Sequence, residues 1–504
     1  MSVRSSGVLM PIFSLPSPYG VGTLGRQARE FADFLARSGQ SHWQILPIGP
    51  TGYGDSPYQS FSSRAGNPYL IDLDELEQQG LLEREEYASL PWGDDPERVD
   101  YQTLYRLRLP VLRRACDRLL SRSPAAFDRF CLLHQAWLDD YALFMALKER
   151  YGGTPWLEWP EDIRLRRPRA MARAKKELED DIRFWQGVQY LFFGQWQEFK
   201  SYVNGKGISI VGDLPIYVAG DSADVWAAPE QFLLDDQGRP TLVAGVPPDD
   251  YSADGQLWGN PLFRWDRMKQ DGYAWWLDRV AFQFKIYDVL RLDHFRGFES
   301  YYAIPYGEKT ARNGQWLPGP GMDFFRALRR SLGPRPIIAE DLGFLTPEVY
   351  QLLADTGFPG MKVLEFGFGD PGEDSEYLPH NYPVHSVAYP GTHDNDTILG
   401  WLDSLTPEQA KFARHYLRLS RREGLHWGVL RSLWASPAQL TVVQMQDLLG
   451  LDRRARMNTP STLGGNWQWR ALPEAMSAGL ARRLYREAAA YQRLPRGGAA
   501  KNEE

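Results

Sequence analysis

Four short apolar runs each end on an acid: ISIVGD (208–213), YDVLRLD (287–293), PIIAED (336–341) and HSVAYPGTHD (385–394). Rows of Val, Ile and Leu read as buried strands. A carboxylate at the exit of such a strand is costly unless it is solvated or paired. One such case is ordinarily a helix cap or a salt bridge. Four in order along one chain point to strands that deliver Asp213, Asp293, Glu340 and Asp394 to a common rim. A (β/α)8 barrel keeps its active site at such a rim.

The flanking sequence extends this pattern. HWQILPIG (42–49) reads as a buried strand behind the helical LGRQAREFADFLARSG (24–39). Further strands are expected at 208–213, 286–293, 336–340, 361–366, 386–390 and 440–446, with helices at 323–332, 347–355, 406–422 and 472–492. This alternation predicts a parallel sheet covered by helices. Residues 74–206 are charged and carry apolar positions at three- and four-residue spacing, so they form a helical insertion with proline-containing breaks near 91, 110, 124 and 155–168. Residues 52–73, 246–263 and 456–470 are rich in Gly, Pro, Asn, Ser and aromatic residues, which is loop chemistry. The expected architecture is α/β: one TIM barrel over 1–504 with helical and loop insertions and a frayed tail after 496.

Bulk composition narrows the function. The 504 residues carry 57 basic and 64 acidic side chains, net −7, with both signs dispersed, so no basic face for nucleic acid is present. Cys116 and Cys131 are too few for a disulfide framework and fit reduced thiols in the cytoplasm. The N-terminal apolar run is cut by Pro11, and no stretch approaches the roughly 20 apolar residues that span a bilayer. The 18 Trp, 25 Tyr and 24 Phe suit sugar rings as well as a large aromatic core.

Two of the acids have informative neighbours. Arg291 precedes Asp293 by two residues, so on a strand both face the same way, and a guanidinium there would hold Asp293 ionised. From these residues alone, a structural ion pair is the favoured reading. Glu340 ends an apolar strand, where desolvation favours a protonated acid, and a helix-capping Glu is the bland alternative. Alternation puts Asp341 on the opposite face. His393 and Asp394 lack a G-x-S-x-G elbow, and the acids lack metal-site spacing, so neither a serine hydrolase nor a metal centre is indicated. Asp396 reads as a turn or cap residue.

Six motifs stand in order: LPIGPTGYGDSPYQSFSSRAGNPYL (46–70), VGDLPIYVAGDSADVW (211–226), PPDDYSADGQLWGNPLF (247–263), RLDHFRGFE (291–299), IIAEDLG (337–343) and GTHDNDT (391–397). Together they closely resemble the amylomaltases, the 4-α-glucanotransferases of the α-amylase clan, from about residue 7 to 495. The resemblance implies a (β/α)8 fold with insertions and a retaining transfer of α-1,4-glucan segments to the 4-hydroxyl of glucose or another glucan, or intramolecularly to give cyclic glucans. It implies Asp293 as nucleophile, Glu340 as acid/base and Asp394 as the transition-state carboxylate. It also implies sugar contacts from Ser56, Tyr58, Asp213, Gln256, Trp258, Arg291, His294, His393 and Asn466, with Asp213 bonding the ring or Arg291. Tyr53 is expected to stack on glucan outside the active site. No metal or organic cofactor is implied, and minor hydrolysis is expected. A hydrolase of the same clan and a silent glucan-binding protein are the rival readings. Intact Asp293, Glu340 and Asp394 weigh against the second, and the two aromatic loops against the first.

Overall fold

The computed structural model describes residues 4–52, 54–122, 125–248, 252–370, 372 and 374–495. Its strands are β1 (Ser5–Leu9), β2 (His42–Gln44), β3 (Ser209–Leu214), β4 (Leu242–Val246), β5 (Gln256–Pro261), β6 (Val289–Leu292), β7 (Ser300–Pro305), β8 (Gln315–Pro318), β9 (Ile337–Ala339), β10 (Gly360–Val363), β11 (Ser386–Tyr389) and β12 (Leu440–Gln444). Eight of them form a parallel sheet in the order β10-β11-β12-β1-β2-β3-β6-β9. Its two ends meet. Ala339 N–H donates to the Pro359 carbonyl at 3.0 Å, and the Asp341 carboxylate accepts from Met361 N–H at 2.5 Å. A side chain therefore completes the seam between β9 and β10, and the sheet is a nearly closed barrel.

Strand alternation explains what fills it. Leu9, Val211, Ile338, Met361, Val387, Tyr389, Leu440 and Val442 pack together inside the barrel, with Val289 against them. Two residues further along the same faces stand Asp213 after Val211, Arg291 after Val289 and Glu340 after Ile338. An apolar plug thus supports a polar rim. Asp341, of opposite parity, turns away to the seam.

Each of the seven expected barrel strands is found within a few residues of its expected position. The eighth, β1, went unread because Ser5–Leu9 is short and contains Gly7, whose missing Cβ lets the backbone of His42 pass within contact distance. The run ending at Asp394 is strand only to Tyr389. Pro390 and Gly391 stop the ladder, and Asp394 lies on a loop.

Long helices, Tyr101–Ser121, Ala125–Arg150 and Glu179–Gly205, pack together between β2 and β3. Pro110 does not break the first of them. Its ring faces solvent, while Leu104, Arg108, Val111, Leu112 and Ala115 hold the opposite face buried, so packing outweighs one lost hydrogen bond. The break expected near 124 lies outside the described residues. A second, antiparallel sheet, β5-β4-β7-β8, rises beside the barrel mouth. It carries part of 246–263, which is therefore not wholly loop: Gln256–Pro261 is an edge strand. The Gly and Pro content of that stretch hid a short, half-exposed strand. Residues 249–251, Tyr53 and the tail after 495 lie outside the described residues. No described helix is long and apolar enough to cross a membrane.

Candidate active site

Arg291 organises the rim. Its buried guanidinium lies 2.6 Å from Asp213, 3.2 Å from Asp293 and 3.1 Å from Glu340. Three carboxylates around one cation leave a net excess of negative charge if all are ionised, and a partly dry site resists that. Burial works against the charge on Arg291, but Asp213, Glu340, Tyr58 and Asp293 around it push its pKa up. For Asp293 the balance goes the other way. Burial first, and Glu340 second, raise its carboxyl well above the usual range against the pull of Arg291. The expectation that Arg291 holds Asp293 ionised is therefore corrected: Arg291 does pull the carboxyl down, but burial and Glu340 outweigh it. Glu340 acts on Asp293 both as a nearby like charge and as a hydrogen-bond neighbour, and both raise the Asp293 carboxyl.

The two oxygens of Glu340 are not equivalent. Oε2 takes both the Arg291 Nη2 contact and the His294 backbone N–H, the latter at 2.5 Å. That N–H reaches it because His294 adopts a left-handed conformation, φ 49°, which is strained for a residue with a Cβ. Backbone bonds on both sides lock the arrangement, with Phe295 N–H to the Glu340 carbonyl at 3.1 Å and Glu340 N–H to Leu292 at 3.0 Å. The His294 ring is held neutral by burial, its pKa lowered to about 4.

Around this centre the remaining expected residues form two groups. Tyr58 donates its hydroxyl to Asp213 at 2.8 Å and stacks on His393, with ring centroids 5.2 Å apart and planes 18° apart. Ser56 Oγ accepts from Tyr58 N–H at 3.3 Å and so shapes that turn. On the other side, Trp258 meets His294 edge to face at 4.9 Å, and its indole N–H donates to Gln256 at 3.1 Å. Asp394 stands apart from Arg291. Its side chain is 43% exposed and lies 3.4 Å from His393 Nε2. Its Oδ1 accepts from the Asn458 amide at 2.6 Å, and its backbone carbonyl accepts from Arg456 at 2.7 Å.

Asn466 is not brought to this centre as a free amide. It accepts from Thr459 N–H at 3.0 Å and donates to Thr462, closing its own loop. Three neighbours were missed in the sequence. Trp467, φ 61°, lies 5.8 Å from Tyr58 and 5.9 Å from His393. The NWQW run that holds it was a usable signal. Arg456 and Asn458 sit in RMNTP, where Asn before Thr-Pro reads as a turn residue. Among the described residues, no group of three or more His, Cys, Asp or Glu is placed to hold a metal ion.

Chemically, the site offers two adjacent carboxyls, a fixed cation behind them, a further carboxylate held apart from that cation and aromatic walls. That set fits acid-assisted displacement at a sugar carbon. The family model for 4-alpha-glucanotransferase matches residues 10–474. The 4-alpha-glucanotransferase of Clostridium butyricum is 47% identical over 487 residues, covering 96% of this chain and 100% of that protein. That of Thermus thermophilus is 47% identical over 502 residues, covering 97% and 99%. The solved amylomaltase from Streptococcus agalactiae in complex with acarbose superimposes with a TM-score of 0.96 at 45% identity, covering 98% of this chain and 100% of that one.

Proposed function

The chain belongs to the 4-alpha-glucanotransferase family, and we propose that Asp293, Glu340 and Asp394 carry its reaction on α-1,4-glucans. The observation that carries the assignment is the single buried guanidinium in contact with Asp213, Asp293 and Glu340. The first step needs a proton on Glu340 and an ionised Asp293. Oε2 of Glu340 is occupied by two donors, so Oε1 is the oxygen that carries the proton to the departing glucan. Asp293 Oδ1 lies toward Arg291, which leaves Oδ2 to attack C1. The product of that step is a β-linked glycosyl-enzyme, with the leaving chain's oxygen protonated. Glu340 then accepts the proton of an incoming 4-hydroxyl as that oxygen displaces Asp293, and two inversions retain the α configuration.

Asp394 takes sugar hydroxyls beside the oxocarbenium-like centre, with Tyr58, His294 and His393 lining the ring and Trp258 and Gln256 on the acceptor side. Acceptors are glucose or a second glucan, and a long donor's own end gives cyclic products. A cytoplasmic location is part of this reading, supported by the unpaired thiols Cys116 and Cys131. Incubation with maltotriose and chromatography of the products tests it. Glucose together with chains longer than maltotriose is expected. Glucose and maltose without longer chains would make the enzyme a hydrolase.

A further inference from the structure

We infer that Asn458 is the positioning residue for Asp394, and that through it the segment 456–470 sets the geometry of the third carboxylate; the inference rests on the role proposed for Asp394. Asp394 lies five residues beyond the last residue of β11, so no ladder fixes its backbone. Beside its own N–H to Thr392 Oγ1 at 3.3 Å, two hydrogen bonds from 456–458 hold this backbone, a third braces that segment and a fourth reaches the carboxylate. Asn458 N–H donates to the His393 carbonyl at 3.1 Å, and Arg456 Nη2 donates to the Asp394 carbonyl at 2.7 Å. Arg456 Nε donates to the Asn458 carbonyl at 2.8 Å, which ties the two donors together. The fourth bond is the one that matters chemically: Asn458 Nδ2 to Asp394 Oδ1 at 2.6 Å.

An ionised carboxylate only accepts, so the amide must present its nitrogen there. The other oxygen faces His393 Nε2 at 3.4 Å, a contact too long to orient the group alone. Rotation of the carboxylate about its own axis is therefore limited by Asn458. With Oδ1 so held, Oδ2 is the oxygen directed to a sugar ring. The segment that supplies Asn458 continues to Trp467, whose N–H donates to Met457 at 2.8 Å and whose ring stands beside Tyr58 and His393. Movement of 456–470 would thus reach the Asp394 carboxylate through the Asn458 amide, and its backbone through Arg456 and the Asn458 N–H.

Loss of a hydrogen bond to a charged group that must be held in the transition state should lower kcat by roughly 10- to 100-fold. Asn458→Ala removes the donor. Asn458→Asp keeps the shape and sets an acceptor against Asp394, so it should be the slower of the two. Both are measured on maltotriose, with kcat and KM resolved and melting temperature recorded. The expected result is a fall in kcat with donor KM changed by less than about threefold and Asn458→Asp below Asn458→Ala. In the Asp394→Asn background, Asn458→Ala should add little to the loss, because the two residues act as one unit. Full additivity, or kcat within twofold of the parent in both single variants, would overturn the inference. So would losses that track only the melting temperature. Parent-like turnover by Asp394→Asn alone would instead remove the role proposed for Asp394, and the two failures are told apart by that variant.

Discussion

The two sides of the cleft are built on different principles. Asp213, Asp293 and Glu340 come from strand ends, are packed around one buried arginine and are locked by strand pairing. Asp394 comes from a loop, is 43% exposed, and is held by the Asn458 amide at its carboxylate and by Arg456 at its backbone carbonyl rather than by an arginine at its carboxylate. On the proposed assignment, the first side holds charge rigidly where a bond breaks. The second leaves a carboxylate less tightly framed where successive sugars would enter and leave. A site that handles two chains in turn needs both, because rigidity serves the displacement and give serves the exchange of partners.

The largest expected effect lies on the rigid side. Asp293→Asn should reduce maltotriose turnover by about 10³-fold or more with little change in melting temperature, since the swap is nearly isosteric. Turnover within tenfold of the parent would move the nucleophile elsewhere. Arg291→Met asks what the cation holds together. Leaving buried carboxylates without their partner should cost about 3–5 kcal/mol in chemical denaturation, whereas Arg456→Met, which loses only bonds to carbonyls, should cost about 1 kcal/mol. Equal costs would erase the contrast between the two sides.

The third test concerns what lies under the less tightly framed side. Asp447 is fully buried, accepts from Ile398 N–H at 2.7 Å, and is pushed up to about 7 by burial and by Asp396. A carboxyl whose folded-state pKa exceeds its unfolded value of about 3.9 binds its proton more tightly in the native state. Its contribution to stability therefore falls as pH rises from about 4 to about 7 and is flat above. Asp447→Asn imitates the protonated acid, so parent and variant should match near pH 4. The variant should gain about 2–4 kcal/mol over the parent by pH 8. An unchanged difference across that range would show that Asp447 ionises freely. The smallest effect is expected at Trp258→Ala, which should raise the fraction of donor bonds ending in hydrolysis severalfold by admitting water at the acceptor side. Reducing ends counted against glucose released would measure it, and a fraction at or below that of the parent would assign Trp258 to donor binding alone.

The same division governed what could be read from the chain. Apolar alternation ending in an acid is a strong, local signal, so β3, β6 and β9 and the rim residues Asp213, Arg291 and Glu340 were legible before any coordinates. The faces of Glu340 and Asp341 followed from parity alone. What stayed hidden was set by distant partners. The raised Asp293 carboxyl depends on burial that no sequence window contains. Asn458 meets Asp394 across 64 residues, Asn466 spends its amide on its own loop, and β5 hides in a stretch whose glycines and prolines read as loop. Pro110 misled because helix packing overrode a local penalty.

The seam of the barrel lies next to Glu340, the proposed acid. Between β9 and β10 the Asp341 carboxylate, pushed up to about 7 mainly by burial, takes Met361 N–H where another barrel joint has a run of backbone bonds. With fewer backbone bonds, such a joint should open more readily on warming than its neighbours, and Glu340 is the adjacent residue. The enzyme should therefore fall silent by losing register at one joint before the rest of the barrel melts. Its useful temperature range is then fixed by a single latch, and comparison of reversible activity loss with global melting would locate it.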